Sequence, residues 1–140
     1  MDLQLKNKVA IVGGASMGIG FGIAQRLAAE GAQLVIFARR MEKLQAAADE
    51  LKNKYSVQVI PVAADIRNQD ESGRIVATAI EHFGRLDVLV NSAGYTRRIP
   101  HGDLETLTPE LFNQLRTANA GGTYSLTRAL LPMLKLSGAG

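Results

Sequence analysis

The sequence predicts an α/β fold, an open parallel sheet wound on both faces by helices, and three observations carry that prediction. Short apolar runs alternate along the chain with segments whose apolar residues recur at three and four. The runs Val9–Val12, Leu34–Phe37 and Leu86–Val90 lack the polar alternation of a half-exposed sheet, as strands covered on both faces do. The links between the two kinds of segment are short, the pattern of right-handed βαβ units.

The first strand opens the stretch around which the rest is arranged, VAIVGGASMGIG from Val9 to Gly20. Gly14, Gly18 and Gly20 carry the chain through a tight turn into a helix. A strand ending in glycine lets backbone approach a charged ligand, and the amides and dipole of the helix's first turn face it. That is a phosphate cradle, although a tight turn in any α/β protein uses glycine too. The spacing is GxxxGxG and no GKS or GKT follows, so a nucleoside-triphosphate loop is disfavoured.

From Ser16 to Glu30 a helix is expected, with Ile19, Ile23, Ala24, Leu27 and Ala28 inward and Ser16 available as its cap. Gly31 stops it, and Gln33–Phe37 is the second strand. Met41–Lys54 returns to helical spacing through Leu44, Ala47, Ala48 and Leu51. Val57–Ala63 is a third strand in which Pro61 suits an edge position. A third helix over Gln69–His82 presents Ile75, Val76, Ala79 and Ile80, Gly84 ends it, and Leu86–Val90 is the fourth strand. Tyr95–Glu105 is polar and irregular, a loop at the carboxyl ends of the strands where ligands gather. Thr106 and Thr108 are candidate caps for a short helix over Pro109–Leu115, and a longer helix runs to Lys135 with Leu126, Ala129, Leu130, Met133 and Leu134 as its face.

Composition narrows the function. With 140 residues, 46% apolar, 21% charged and a net charge of +3, the chain reads as one soluble domain, residues 1–140. Its cations are scattered and its aromatics few, so nucleic acid is not an expected partner. No cysteine is present, which excludes thiolate chemistry and fits a reducing compartment. The polar start MDLQLKNK is unlike a signal peptide and no apolar run would span a bilayer, so a cytoplasmic location and no membrane partner are the default. His82 and His101 are not spaced with carboxylates as metal ligands, and no metal is expected.

Taken together, these stretches resemble the short-chain dehydrogenase/reductase family. Gly13-Gly14-Ala15-Ser16-Met17-Gly18-Ile19-Gly20 is similar to the family's Thr-Gly-x-x-x-Gly-x-Gly, with Gly13 in the threonine's place. Asp65-Ile66 follows the third strand as the family's adenine-contacting aspartate does. Asn91-Ser92-Ala93-Gly94 is similar to Asn-Asn-Ala-Gly, and TANAGGTYSLTRALLPML places Asn119 on the family's structural and catalytic asparagine. The resemblance implies a Rossmann-type sheet in the order 3-2-1-4 and a nicotinamide cofactor. It also implies cofactor contacts at Gly14, Ser16, Gly18, Ile19, Gly20, Asp65, Ile66, Asn91, Ala93 and Gly94, and a small carbonyl or alcohol substrate. Members of the 3-oxoacyl reductase-like branch look most similar, and full-length relatives form homodimers or homotetramers.

Two features qualify that expectation. Where an NAD site places an acid to bind the ribose 2′-hydroxyl, this chain has Ala38, followed by Arg39 and Arg40. A guanidinium is the natural partner of a 2′-phosphate, so NADP is favoured over NAD. The family's active site is completed by a serine on a following strand and by a Tyr-x-x-x-Lys pair. Ser137-Gly138-Ala139-Gly140 resembles the turn before that strand, and Tyr124 is followed at the fourth position by Arg128, not lysine. The chain looks like the cofactor-binding part of such an enzyme, with the fourth strand left as an open edge that invites association. A dinucleotide-binding module without turnover is the alternative.

Overall fold

In a computed structural model that describes residues 3–138, the elements follow the order β1 (Val9–Gly13), α1 (Gly18–Ala29), β2 (Gln33–Ala38), α2 (Met41–Tyr55), β3 (Val59–Ala63), α3 (Gln69–Phe83), β4 (Val88–Val90), α4 (Pro109–Arg116) and α5 (Gly122–Ser137). A π-turn, Thr117–Gly121, joins the last two helices. Ala139 and Gly140, the end of the SGAG stretch, lie outside the described residues; Ser137 closes α5 and Gly138 is its left-handed cap.

Among the described residues the four strands form one parallel sheet in the order β3-β2-β1-β4, the Rossmann-type arrangement, open at β4. Strand alternation splits the core in two. Ala10, Val12, Leu34 and Ile36 face α1 and α2, packing on Ala24, Ala28, Leu44, Ala48 and Leu51. Val9, Ile11, Val35 and Phe37 face the other way, onto Ile75 and Ala79 of α3 and Leu126 and Leu130 of α5. Each fully buried large apolar side chain contributes roughly 2 kcal/mol, so both layers hold the sheet.

Pro61 sits on the edge strand β3, opposite Ile36, where its missing N–H costs no ladder bond to a further strand. Two strands are shorter than their apolar runs: β3 begins at Val59 and β4 at Val88. At β4 the reason is Asp87. Its backbone N–H donates to the Val9 carbonyl at 2.9 Å and its carboxylate accepts from the Val9 N–H at 2.9 Å, so a side chain replaces one rung of the ladder.

Helical faces are narrower than periodicity implied. Ile19 is 79% exposed, because the inward row of α1 is Gly20, Ala24 and Ala28, one residue further round. On α3 the row is Ser72, Ile75 and Ala79, which turns Ile80 outward, and Ala129 of α5 is likewise exposed. Thr108 caps α4 by accepting from the Leu111 N–H at 3.2 Å, with Pro109 as first helical residue. Thr106 instead donates its hydroxyl to Asp103.

Candidate functional site

At the carboxyl ends of the strands lies a cleft of about 260 Å³, lined by the turn after β1, the end of β2, and the loops after β3 and β4. The sheet puts it there: β1 and β4 are adjacent, and the connections from them run to helices on opposite faces, which leaves a crevice between.

Glycine is required on the cleft's floor by contact. Gly14 has φ +67°, and a Cβ there would come within 2.7 Å of the Ser92 carbonyl oxygen. A Cβ on Gly20 would lie 2.4 Å from the Gly14 carbonyl oxygen, so the start of α1 rests directly on the turn that feeds it. Gly18 differs: the space beside it is open, as an approaching ligand needs. Gly13 has a separate cause. Its missing side chain leaves room for the Phe37 ring, which a Cβ would meet at 2.5 Å. A threonine at this position would require the Phe37 ring on β2 to move.

The N-terminus of α1 is bare. Met17, fully extended, is its cap residue and makes no side-chain capping bond, and the first turn holds no acid. Ser16 is therefore not the helix cap; it lies one residue too early and lines the cleft instead. By contrast, α3 starts with Asn68 accepting from the Asp70 N–H at 3.0 Å and with Asp70 and Glu71 in its first turn. Of these two, only α1 keeps its partial positive charge unanswered.

Arg39 and Arg40, directly after β2, line the same cleft, as do Ala38 and Asp65. Asp65 is not the cap of α3, a role that Asn68 fills. Its carboxylate is held by Arg67, with Nε at 2.9 Å from Oδ1 and Nη2 at 2.5 Å from Oδ2, while the Arg67 N–H donates to Oδ1 at 3.0 Å. That pairing, helped by the Arg39 charge and opposed by partial burial, keeps the Asp65 carboxyl below the usual range. Ile66 lines the cleft yet is only 7% exposed, packed in the core, and its carbonyl oxygen would meet a Cβ on Gly122 at 2.6 Å. Glycine at 122 thus lets α5 close against this loop.

Ala93 and Gly94 reach the cleft, whereas exposed Asn91 turns its amide to Thr127 on α5, 3.1 Å away; it is not a buried group closing the strand. Asn119 lies in the π-turn. Its Oδ1 accepts from the Tyr95 N–H at 3.0 Å, and its Nδ2 donates to the Tyr95 carbonyl at 2.7 Å and the Leu115 carbonyl at 2.9 Å. One side chain thus ties the widened helix to the loop after β4, and it is exposed rather than buried. Arg67 and Tyr95 are the polar cleft residues of most consequence among those that sequence reading missed, which also include Phe37, Ala64 and Ala118. An arginine two residues beyond an aspartate was the available signal for the first; nothing local marks the second.

Among the described residues no three potential ligand side chains cluster as a metal site, and no helix is long and apolar enough to cross a membrane.

A parallel sheet in this order, with a glycine-built turn and a bare helix N-terminus at its crevice, defines a Rossmann-type α/β domain. The family model for short chain dehydrogenases matches residues 8–140, and the chain belongs to that family. Among curated relatives, it is 46% identical over 94% of its length to a protein of Streptomyces violaceoruber assigned as ketoacyl reductase 2 of the granaticin polyketide synthase, covering 51% of that protein. It is 37% identical over 96% of its length to 2-(R)-hydroxypropyl-CoM dehydrogenase of Xanthobacter autotrophicus, covering 54%. The chain therefore spans about half the length of these relatives. Its fold matches L-sorbose reductase of Gluconobacter frateurii, solved with NADPH and L-sorbose, at TM-score 0.91 and 33% identity over 99% of this chain and 51% of that one. It matches 3-ketoacyl-(acyl-carrier-protein) reductase of Brucella melitensis, solved with NADH, at TM-score 0.86 and 36% identity over 96% and 53%.

Proposed function

We propose that this chain is the cofactor-binding part of an NADP(H)-dependent oxidoreductase that interconverts a carbonyl and a secondary alcohol. The observation that carries the reading is the bare N-terminus of α1 in one cleft with Arg39 and Arg40, with Ala38 where an acid would otherwise select NAD. When bound, the nicotinamide donates or accepts the hydride. Gly14, Gly18 and Gly20 admit the pyrophosphate to the backbone, and Ser16 and Ile19 contact it and its ribose. Arg39 and Arg40 take the 2′-phosphate, Asp65 and Ile66 border the adenine, and Asn91, Ala93 and Gly94 border the adenine ribose. Asn119 acts as a positioning residue, holding the Tyr95 backbone through the π-turn.

The two relatives named as ketoacyl reductases support a 3-oxoacyl-type substrate for the whole protein. NAD is the alternative cofactor, and the NADH-bound Brucella structure keeps it in view. Within residues 1–140 none of Tyr55, Tyr95 and Tyr124 has a lysine four residues on, so the second reading is that these residues by themselves form a dinucleotide-binding module without turnover. A tyrosine beside a lysine ammonium supplies the acid/base for hydride transfer, and binding needs neither.

Titration of NADPH against NADH, with Arg39→Ala alongside, tests the proposal. Tighter NADPH binding that falls at least tenfold in the variant supports it. A folded chain that binds neither cofactor overturns it, and carbonyl-dependent NADPH oxidation by the chain alone overturns the second reading.

A further inference from the structure

Three arginines, Arg39, Arg40 and Arg67, line the cleft together with one carboxylate, Asp65. Among the described residues, neither Arg39 nor Arg40 forms an ion pair, Arg39 acting on Asp65 only through its charge, whereas Arg67 binds the Asp65 carboxylate directly through Nε and Nη2. The Tyr95 ring holds two of the cations in one place, with the Arg39 guanidinium carbon 5.7 Å and that of Arg67 5.9 Å from its centroid. The Tyr95 backbone is itself clamped by Asn119, so the ring is anchored.

A phosphate monoester carries a charge of about −1.5 to −2 near neutral pH, and an unpaired carboxylate in the same cleft would repel it. We infer that Arg67 is a specificity-determining residue: by pairing with Asp65 it cancels the cleft's acidic charge, so that Arg39 and Arg40 select nucleotides bearing a 2′-phosphate. Arg67 is a positioning residue that acts through Asp65, with no contact to the ligand required. This rests on the cofactor reading above and adds a determinant outside the β2 end.

The test is calorimetric titration with adenosine 2′,5′-bisphosphate and adenosine 5′-monophosphate, with circular dichroism to verify folding. The proteins are the parent chain, Arg67→Gln, Asp65→Asn and the double variant. The parent prefers the bisphosphate. Arg67→Gln lowers that preference roughly fivefold or more, Asp65→Asn raises it, and the double variant returns to within about twofold of the parent or exceeds it. An unchanged preference in both single variants overturns the inference. So does an equal loss in Arg67→Gln and the double variant, because Arg67 would then be touching the phosphate itself. A folded parent that binds neither nucleotide, or both without preference, removes the NADP reading and this inference together. Preference in the parent that both single variants leave untouched removes only the role of Arg67.

Discussion

Two aspartate–arginine pairs stand at opposite ends of the sheet and do different work. Arg85 and Asp87 precede β4, and Asp65 and Arg67 follow β3; each pair is two residues apart, with Nη2 to carboxylate at 2.5 Å. Both carboxyls lie below the ordinary range. For Asp87 the burial that opposes ionisation is outweighed by the Arg85 hydrogen bonds, the Val9 N–H and the charges of Arg85 and Lys8. The difference is exposure: the Asp87 side chain is 1% exposed, that of Asp65 24%. Asp87 also joins β1 to β4 through the Val9 N–H, whereas Asp65 borders a cleft. The same pairing chemistry therefore serves architecture where it is buried and tethered to a strand, and charge control where water and a ligand can reach it.

The comparison is broken most directly at the buried end. Asp87→Ala leaves the Val9 N–H without its partner in the core and is expected to cost about 2–3 kcal/mol in urea denaturation. A loss equal to that of Asp65→Ala would show that burial does not separate the pairs. Acid sharpens the same point. Because Asp87's folded pKa is depressed, its stabilisation is complete above the unfolded carboxyl value near 3.8 and is lost as pH falls below that towards the folded value. Urea melts across that range should show a steeper acid loss in the parent than in Asp87→Asn.

Next in size is Gly20→Ala, which drives a Cβ against the Gly14 carbonyl and should cost about 1–3 kcal/mol while abolishing nucleotide binding. Normal binding in this variant would mean that the turn can yield. Asn68→Ala removes the cap that α1 lacks and α3 has, and is expected to lower the midpoint of thermal unfolding by an amount equivalent to about 1 kcal/mol. Asp65→Asn has the smallest effect on stability, under about 1 kcal/mol, because the pair is partly solvated.

Much of this arrangement was legible before folding. Alternating apolar runs placed all four strands, Pro61 pointed to an edge, and Gly84 and Thr108-Pro109 marked helix boundaries that the structure keeps. Gly14, Ser16, Arg39, Arg40, Asp65, Ile66, Ala93 and Gly94 were marked for one site and line one cleft, whereas Gly18, Ile19, Gly20 and Asn91 are not in its lining. Less legible were helix faces. Ile19 and Ile80 fit an apolar stripe yet are exposed, because periodicity gives a face its width but not the rotation at which it meets the sheet. Ser16 had the chemistry of a cap and missed the position by one residue, since extended Met17 sets where the helix begins.

What local order could specify was the kind and succession of the elements, since helix and strand periods, glycine turns and caps act within a few residues. Partners far apart in the chain were decided by the packed sheet alone. Asp87 meets Val9 across 78 positions, Asn119 meets Tyr95 across 24, and the Phe37 ring fills the space that makes position 13 a glycine. The first and last of these depend on strands from distant segments lying about 5 Å apart, a spacing that only hydrogen-bonded closure of the sheet creates, and the second on the π-turn before α5 packing over the loop after β4.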